Sequence, residues 1–221
     1  MGRKSLKDIR QREIIEVFYA VAKREGLENT SIAKIAREMN TNPSLIIHYF
    51  QTKEDLIYEL IDYILSQYQL IFQIEREGAT REALVETIDK LFSKKWNDLF
   101  DDGLSFSCYA LIFRNETVKE KFKSVLDLLH TRLATLIRQC AENGEIRLTE
   151  DPRVVADLIF VIVDGAYYYL SLVSDPAEFD RKLTEYKLRA LRLLSISLIP
   201  VSAGDRGQAY SHPDDVDGQA R

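Results

Sequence analysis

Cysteine is nearly absent: Cys108 and Cys140 are all that 221 residues contain. Two cysteines without CxxC spacing support neither a disulfide framework nor a structural zinc site, and both read as reduced thiols. The three histidines, His48, His130 and His212, stand at no metal-ligand spacing. Glycine is scarce at nine residues, and no glycine-rich loop of the phosphate-cradling kind occurs. No nucleophile stands beside a recognisable base. An enzyme is therefore not expected, nor a metal or other cofactor. Long apolar runs are missing as well. The nearest, Leu158 to Val173, is interrupted by Asp164 and is shorter than the roughly 20 residues a membrane helix needs. No apolar stretch near the start has the shape of a secretion signal. A cytoplasmic location without a membrane partner is the expectation. Sustained period-two alternation is also lacking, so strands are not expected.

The composition, 46% hydrophobic and 29% charged, is that of a globular chain. Apolar residues recur at helical spacing almost throughout. The first helix is expected from about Asp8 to Glu25, with Ile14, Val17, Phe18, Val21 and Ala22 on one stripe. Gly26 ends it. After two short helices, a long apolar helix runs from Lys53 to about Glu75. Residues 77–80, Glu-Gly-Ala-Thr, break the pattern. Further helices are expected at about 80–101, 104–114, 115–142, 152–174 and 176–199. Gly103 would separate the first two of these. Asp151-Pro152 and Asp175-Pro176 supply cap-plus-proline starts for the last two. The fold class is all-α, about nine helices, divided as residues 1–53, a connecting helix at 54–77, and a larger body at 78–200. Residues 201–221 have few apolar side chains and read as a disordered tail.

The most informative stretch is Thr30 to Lys53. Thr30 or Ser31 can cap a short helix carrying Ile32, Ile35, Ala36 and Met39 on one face. Asn40 stands at its exit, and Asn42-Pro43 starts the next. In that second helix Ile46, Tyr49 and Phe50 face inward. Ser44, Ile47 and His48 face outward, with Leu45 beside them. Thr52 to Asp55 has the pattern of a capping box. Two short helices joined by a tight turn make a helix-turn-helix, whose second helix can enter a DNA major groove.

Gly26, Thr30-Ser31, Ile35-Ala36 and the run NPSLIIHYFQTKEDL from Asn42 to Leu56 resemble the DNA-binding domain of TetR-family transcriptional regulators. Over the rest of the chain the resemblance is one of helix arrangement. Ile47 departs from the Tyr common in the family, and Ser44 from its frequent Gly. The resemblance implies a double-stranded DNA operator as partner. It also implies a homodimer through the helices near 152–174 and 176–199, and a small-molecule effector bound in the larger body. A repressor is the expected sense. The alternative keeps DNA binding and replaces the effector by an architectural or partner-binding role.

Charge distribution agrees with a DNA reader. Residues 1–53 carry ten Lys/Arg against six Asp/Glu, a balance of +4, within a chain of net charge −5. The remainder is thus −9: a basic head on an acidic body, with cations where phosphate would lie. The residues expected at DNA are Thr30, Ser31, Thr41, Asn42, Ser44, Leu45, Ile47, His48, Tyr49 and Lys53. Leu45 and Ile47 can offer only apolar contact, for instance to a thymine methyl. In the larger body, Trp96, Phe100, Phe106, Tyr109, Phe113, Phe122, Phe160, Tyr167, Tyr168 and Tyr169 are dense enough in aromatics to line a cavity. Asp164 is their most suggestive polar neighbour, since a carboxylate within an apolar run needs a partner. That partner is either a ligand or a tyrosine hydroxyl across the subunit interface.

Overall fold

The computed structural model describes residues 5–68, 78–93 and 102–196. Among these are nine α-helices and one 3-10 turn, without a strand: α1 Leu6–Glu25, α2 Ile32–Glu38, α3 Pro43–Tyr49, α4 Lys53–Tyr68, α5 Arg81–Leu91, α6 Asp102–Ala110, the 3-10 turn Leu111–Phe113, α7 Glu116–Glu142, α8 Pro152–Leu170 and α9 Pro176–Leu193. Trp96, Phe100 and the 201–221 tail lie outside the described residues, as does any continuation of α4 towards Glu75.

Helix boundaries follow local chemistry. α1 starts two residues earlier than its apolar pattern suggests, because Ser5 and Asp8 form a reciprocal capping box. Ile14, Ile15, Phe18, Val21 and Ala22 bury one face of it. Gly26 follows at φ 88°, a left-handed value that glycine adopts without strain. Asp151 and Asp175 accept from the N–H groups of Arg153 and Ala177, each ahead of a first-turn proline. Gly103 does not separate helices as expected; it is the second residue of α6.

α5 is shorter than its pattern. It ends at Leu91, with Phe92 as cap. The Tyr167 hydroxyl, reaching across from α8, donates to the carbonyls of Leu91 (2.9 Å) and Ser93 (3.2 Å), which absorbs acceptors freed at the helix end. α9 likewise stops at Leu193, with Ser195 at φ 56°.

One continuous core joins the head to the body. Ile14, Phe18, Ile35, Ile46, Leu56 and Leu60 fill the N-terminal part; Leu84, Ile88, Leu133, Ile159 and Leu191 fill the rest. α4 touches both α1 and α7, so it carries the three-helix head on the body. Its burial fits that position: Leu56, Leu60, Ile61, Ile64 and Leu65 are covered. α8 packs against α7 on one side and α9 on another.

Candidate DNA interface and effector cavity

α2 and α3 are tied at their starts and at the turn between them. Ser31 caps α2 by accepting from the N–H of Lys34 at 3.3 Å. The chain leaves α2 through Asn40 at φ 51°, a left-handed conformation that Asn tolerates better than most residues. Thr41 N–H then returns to the Ala36 carbonyl at 2.9 Å. Asn42 starts α3, its Oδ1 accepting from the N–H and the hydroxyl of Ser44 at 3.0 and 2.7 Å. Ile46 and Phe50 are buried under the head. Thr52 and Asp55 form the anticipated capping box at α4.

This leaves Ser44, Ile47 and His48 exposed on one face of α3, Leu45 half-buried at its edge, and Tyr49 half-buried with its ring edge-on to His48. Ile47 is 48% exposed. Ser31, Asn42 and Lys53 are exposed and Thr41 is half-buried. Thr30 is different. It is 1% exposed, and its hydroxyl donates to the Gly26 carbonyl at 2.8 Å. The residue before the cap is drawn inward by that bond, so its hydroxyl does not face a phosphate.

Ion pairing sorts the basic head into two sets. Arg10 pairs with Glu13, Arg12 with Glu16, Arg24 with Glu25 and Glu38, and Lys34 with Glu25. Glu25 is held below its ordinary value by Lys34 first and Arg24 second. Among the described cations of the head, Lys7, Lys23, Arg37 and Lys53 have no carboxylate partner. Arg37 and Lys53 flank α3 in the chain. Arg37 is absent from the residues that motif reading selects, because neither capping nor periodicity marks an unpaired cation.

The body contains a cavity of about 320 Å³ between α4, α5, α6, α7 and α8. Of the aromatic residues proposed from sequence, Phe106, Tyr109, Phe122, Phe160, Tyr167 and Tyr168 line it, together with Asp164. Phe113 does not. The 3-10 turn rotates it outward, where it is 78% exposed and packs edge-on against Tyr109. Tyr169 is exposed away from the lining and lies under the Lys182 ammonium. Tyr68, Leu91, Ser105, Leu126, Leu129 and Val163 complete the described wall. They come from separate helices and share no sequence motif.

Asp164 lines the cavity and is exposed to solvent, with protein crowding part of its carboxylate. That crowding pushes its carboxyl above the ordinary value, with nearby His130 opposing. No hydrogen bond or ion pair joins Asp164 to a described residue, and within the chain no described tyrosine hydroxyl meets it. His130 stacks on Phe160 at 4.2 Å and directs Nδ1 to Asp157 at 2.8 Å. Burial raises the hydroxyls of Tyr68 and Tyr167, and pushes the Cys108 thiol up to about 12. Cys140 is pushed up to about 11 by burial, Glu145 and Glu82, and donates to the Thr80 carbonyl at 3.3 Å. Both thiols are free and buried, and protonated thiols are poor nucleophiles. No group of three or more metal-ligating side chains occurs among the described residues.

The outer face of α8 is uncovered, and its exposed apolar side chains are flanked by Asp157 and Asp164. Val154, Leu158 and Val161 are exposed, as is Leu172 just past the helix end, and Tyr168, also exposed, stands between this face and the cavity that it lines. With Gly165 they follow one another by alternating steps of four and three residues, the spacing of a seam between two helices. A Cβ at Gly165 would meet nothing within 4 Å. α9, in contrast, spends Leu183, Ala190 and Leu191 inside the subunit. Within the single chain α8 is therefore covered on one side. No described helix is long and apolar enough to cross a membrane.

Residues 14–60 match the model of the bacterial regulatory proteins of the tetR family, and residues 79–196 match that of the tetracyclin repressor-like C-terminal domain. Among curated proteins, the chain is similar to the nucleoid occlusion factor SlmA of Vibrio cholerae, 25% identical over 170 residues that cover 72% of this chain and 83% of that one. It is also similar to the HTH-type transcriptional regulator BetI of Serratia proteamaculans, 17% identical over 167 residues, 76% and 83% of the two chains. Among solved structures, a TetR transcription regulator from Haloarcula marismortui aligns with TM-score 0.74 at 19% identity, over 85% of this chain and 97% of the other. A TetR-family regulator from Cytophaga hutchinsonii aligns with TM-score 0.72 at 17% identity, over 89% and 100%. At such identities the structural likeness concerns the fold.

Proposed function

This chain belongs to the TetR family of DNA-binding transcriptional regulators, and from that premise we propose that it acts as a homodimeric repressor released from a palindromic operator by a small molecule. The observation that carries the reading is the outward face of α3. Ser44, Ile47 and His48 are exposed there, on a helix whose opposite side is locked into the head by Ile46 and Phe50. A short helix presents few side chains to base edges, so a two-fold dimer reading two half-sites is the natural reader. The seam on α8 supplies the surface for that dimer, with α9 beside it. Residues 1–53 read DNA, α4 connects, the body from 78 to about 200 binds effector and partner subunit, and the chain works in the cytoplasm without catalysing a reaction.

In this reading Ser31, Thr41, Asn42, Tyr49 and Lys53 position the head on phosphates, and Ser44, Leu45, Ile47 and His48 meet base edges or backbone. Arg37 joins them as a phosphate contact. Phe106, Tyr109, Phe160, Asp164, Tyr167 and Tyr168 form the effector site. An effector can shift the dimer only by binding one arrangement of the heads better than the other. α4 transmits the difference, since it borders the cavity at Tyr68 and the head at Leu56.

A second reading is favoured by the relatives named nucleoid occlusion factor: DNA binding joined to a protein partner, with no effector. Selection of duplexes from a random pool, at a stated salt concentration, tests both. Recovery of a two-fold symmetric site, followed by its release by a compound that binds the body, is the expected result. A symmetric site that no body ligand releases favours the second reading. Salt-sensitive binding without any enriched sequence removes the sequence-reading function.

A further inference from the structure

We propose that the cavity between α4 and α8 takes an organic cation, held by the Asp164 carboxylate and the surrounding aromatic rings. The proposal rests on the reading of that cavity as the effector site and adds the chemical class of its ligand.

Three features of the wall point the same way. Asp164 is the one carboxylate among the described lining residues, and no Lys or Arg stands among them. Its charge has no hydrogen-bonded or ion-paired partner among the described residues. The rest of the wall is rich in rings, Phe106, Tyr109, Phe122, Phe160 and Tyr168 among them. An aromatic face is the negative end of a quadrupole and attracts a cation, most strongly when water is displaced. A carboxylate beside such rings supplies the countercharge, and the rings supply a surface on which an organic cation sheds water.

The alternatives fit less well. An anion would meet Asp164 with no described cation to offset it. His130, which acts electrostatically on Asp164, directs Nδ1 to Asp157, stacks on Phe160 and is not among the residues that line the cavity. A neutral apolar ligand would leave the Asp164 charge unmatched. A metal ion would need more than one hard ligand. At about 320 Å³ the space lies near the lower end of the usual ligand-site range of roughly 300–1,000 Å³, which suits a single-ring ammonium compound.

The test uses three probes that share a benzyl group: benzyltrimethylammonium, its uncharged carbon isostere neopentylbenzene, and the smaller anion phenylacetate. Affinities for the full chain are measured by ligand-observed NMR. The cation is expected to bind at least about tenfold tighter than the isostere, a ratio within reach of one desolvated cation–π and charge contact. Asp164→Asn should remove most of that preference and leave the isostere unchanged. Asp164→Glu should restore part of it, and thermal unfolding of both variants reports whether they are folded. Equal binding of cation and isostere, a preference for phenylacetate, or an unchanged cation affinity in Asp164→Asn overturns the cation assignment while leaving an effector cavity standing. Failure of all three probes to bind overturns the assignment and the cavity reading together.

Discussion

Asn115 holds Tyr58 by a 2.7 Å hydrogen bond from its side-chain amide, while its Oδ1 accepts from the N–H of Val118. One residue thus starts α7 and ties it to α4. The Lys121 ammonium pairs with Asp62 further along the same two helices. These are polar links between the helix that carries the head and the helix that walls the cavity. Loss of the cap in Asn115→Ala should cost about 1–2 kcal/mol of stability. Tyr58→Phe keeps the cap and loses one hydrogen bond, about 0.5–1.5 kcal/mol. Chemical denaturation measures both. Tyr58→Phe is further expected to keep operator affinity in the absence of effector while reducing the change that effector produces. An unchanged effector response would remove this bond from the coupling.

At the DNA face, unpaired cations and apolar side chains should behave differently. Arg37→Ala and Lys53→Ala should weaken binding to all duplexes alike, and each should lower the slope of log K against log salt by about 1. Ile47→Ala should leave that slope unchanged and relax the preference at one base position, where an apolar contact to a thymine methyl is lost. Titrations across several salt concentrations, on the selected site and on a scrambled one, separate the two behaviours. Lys34→Ala serves as a contrast: its ammonium is already held by Glu25 at 2.6 Å and the Asn29 carbonyl at 2.9 Å, so its loss should alter stability more than the salt slope.

The α8 seam makes a prediction about assembly. Val161 is 67% exposed in the single chain, so Val161→Glu should leave the subunit folded and abolish the dimer in sedimentation. Gly165→Ala tests how closely the helices approach. In the isolated chain the added methyl meets nothing and should stabilise α8 by about 1 kcal/mol. Should the partner backbone pass over Gly165, the same change weakens the dimer.

Asp164 gives a pH signature. Its folded-state carboxyl titrates above the ordinary value of 3.8, so the folded chain binds the extra proton first. The contribution to stability is full below 3.8, where folded and unfolded chains are both protonated there, and is lost as pH rises through the folded value. Asp164→Asn removes this loss. The variant should gain stability relative to the parent as pH rises through that window, measured by thermal unfolding at a series of pH values. Among the described residues, His130 on α7 and Tyr68 on α4 interact electrostatically with Asp164. Comparing the pair cancels the opposite trend from Glu25, whose carboxyl is lowered by Lys34 and Arg24 and loses its contribution as pH falls.

Much of the head was legible in the residues because its determinants are local. Ser31, Asn42-Pro43 and Thr52–Asp55 each satisfy backbone groups within three residues, and Ile35, Ala36 and Ile46 bury by helical period alone. All-helical class, the order of the helices and the outward set on α3 followed from those rules. Thr30 escaped them: a capping hydroxyl and a hydroxyl turned back to Gly26 look alike in sequence. Which cations of the head stay unpaired was equally hidden, since Arg24 meets Glu38 on another helix. The cavity depended on tertiary structure throughout. Tyr68, Leu91, Ser105 and Tyr168 reach one space from four helices. Phe113, as aromatic as its neighbours, is turned away by three residues of 3-10 geometry. The sequence by itself determined which faces must be buried, because burial follows periodicity and capping along one helix. Only the packing of the helices decided which side chains share a cavity and which apolar stripe is left on the surface for a partner, because both depend on distances between residues far apart in the chain.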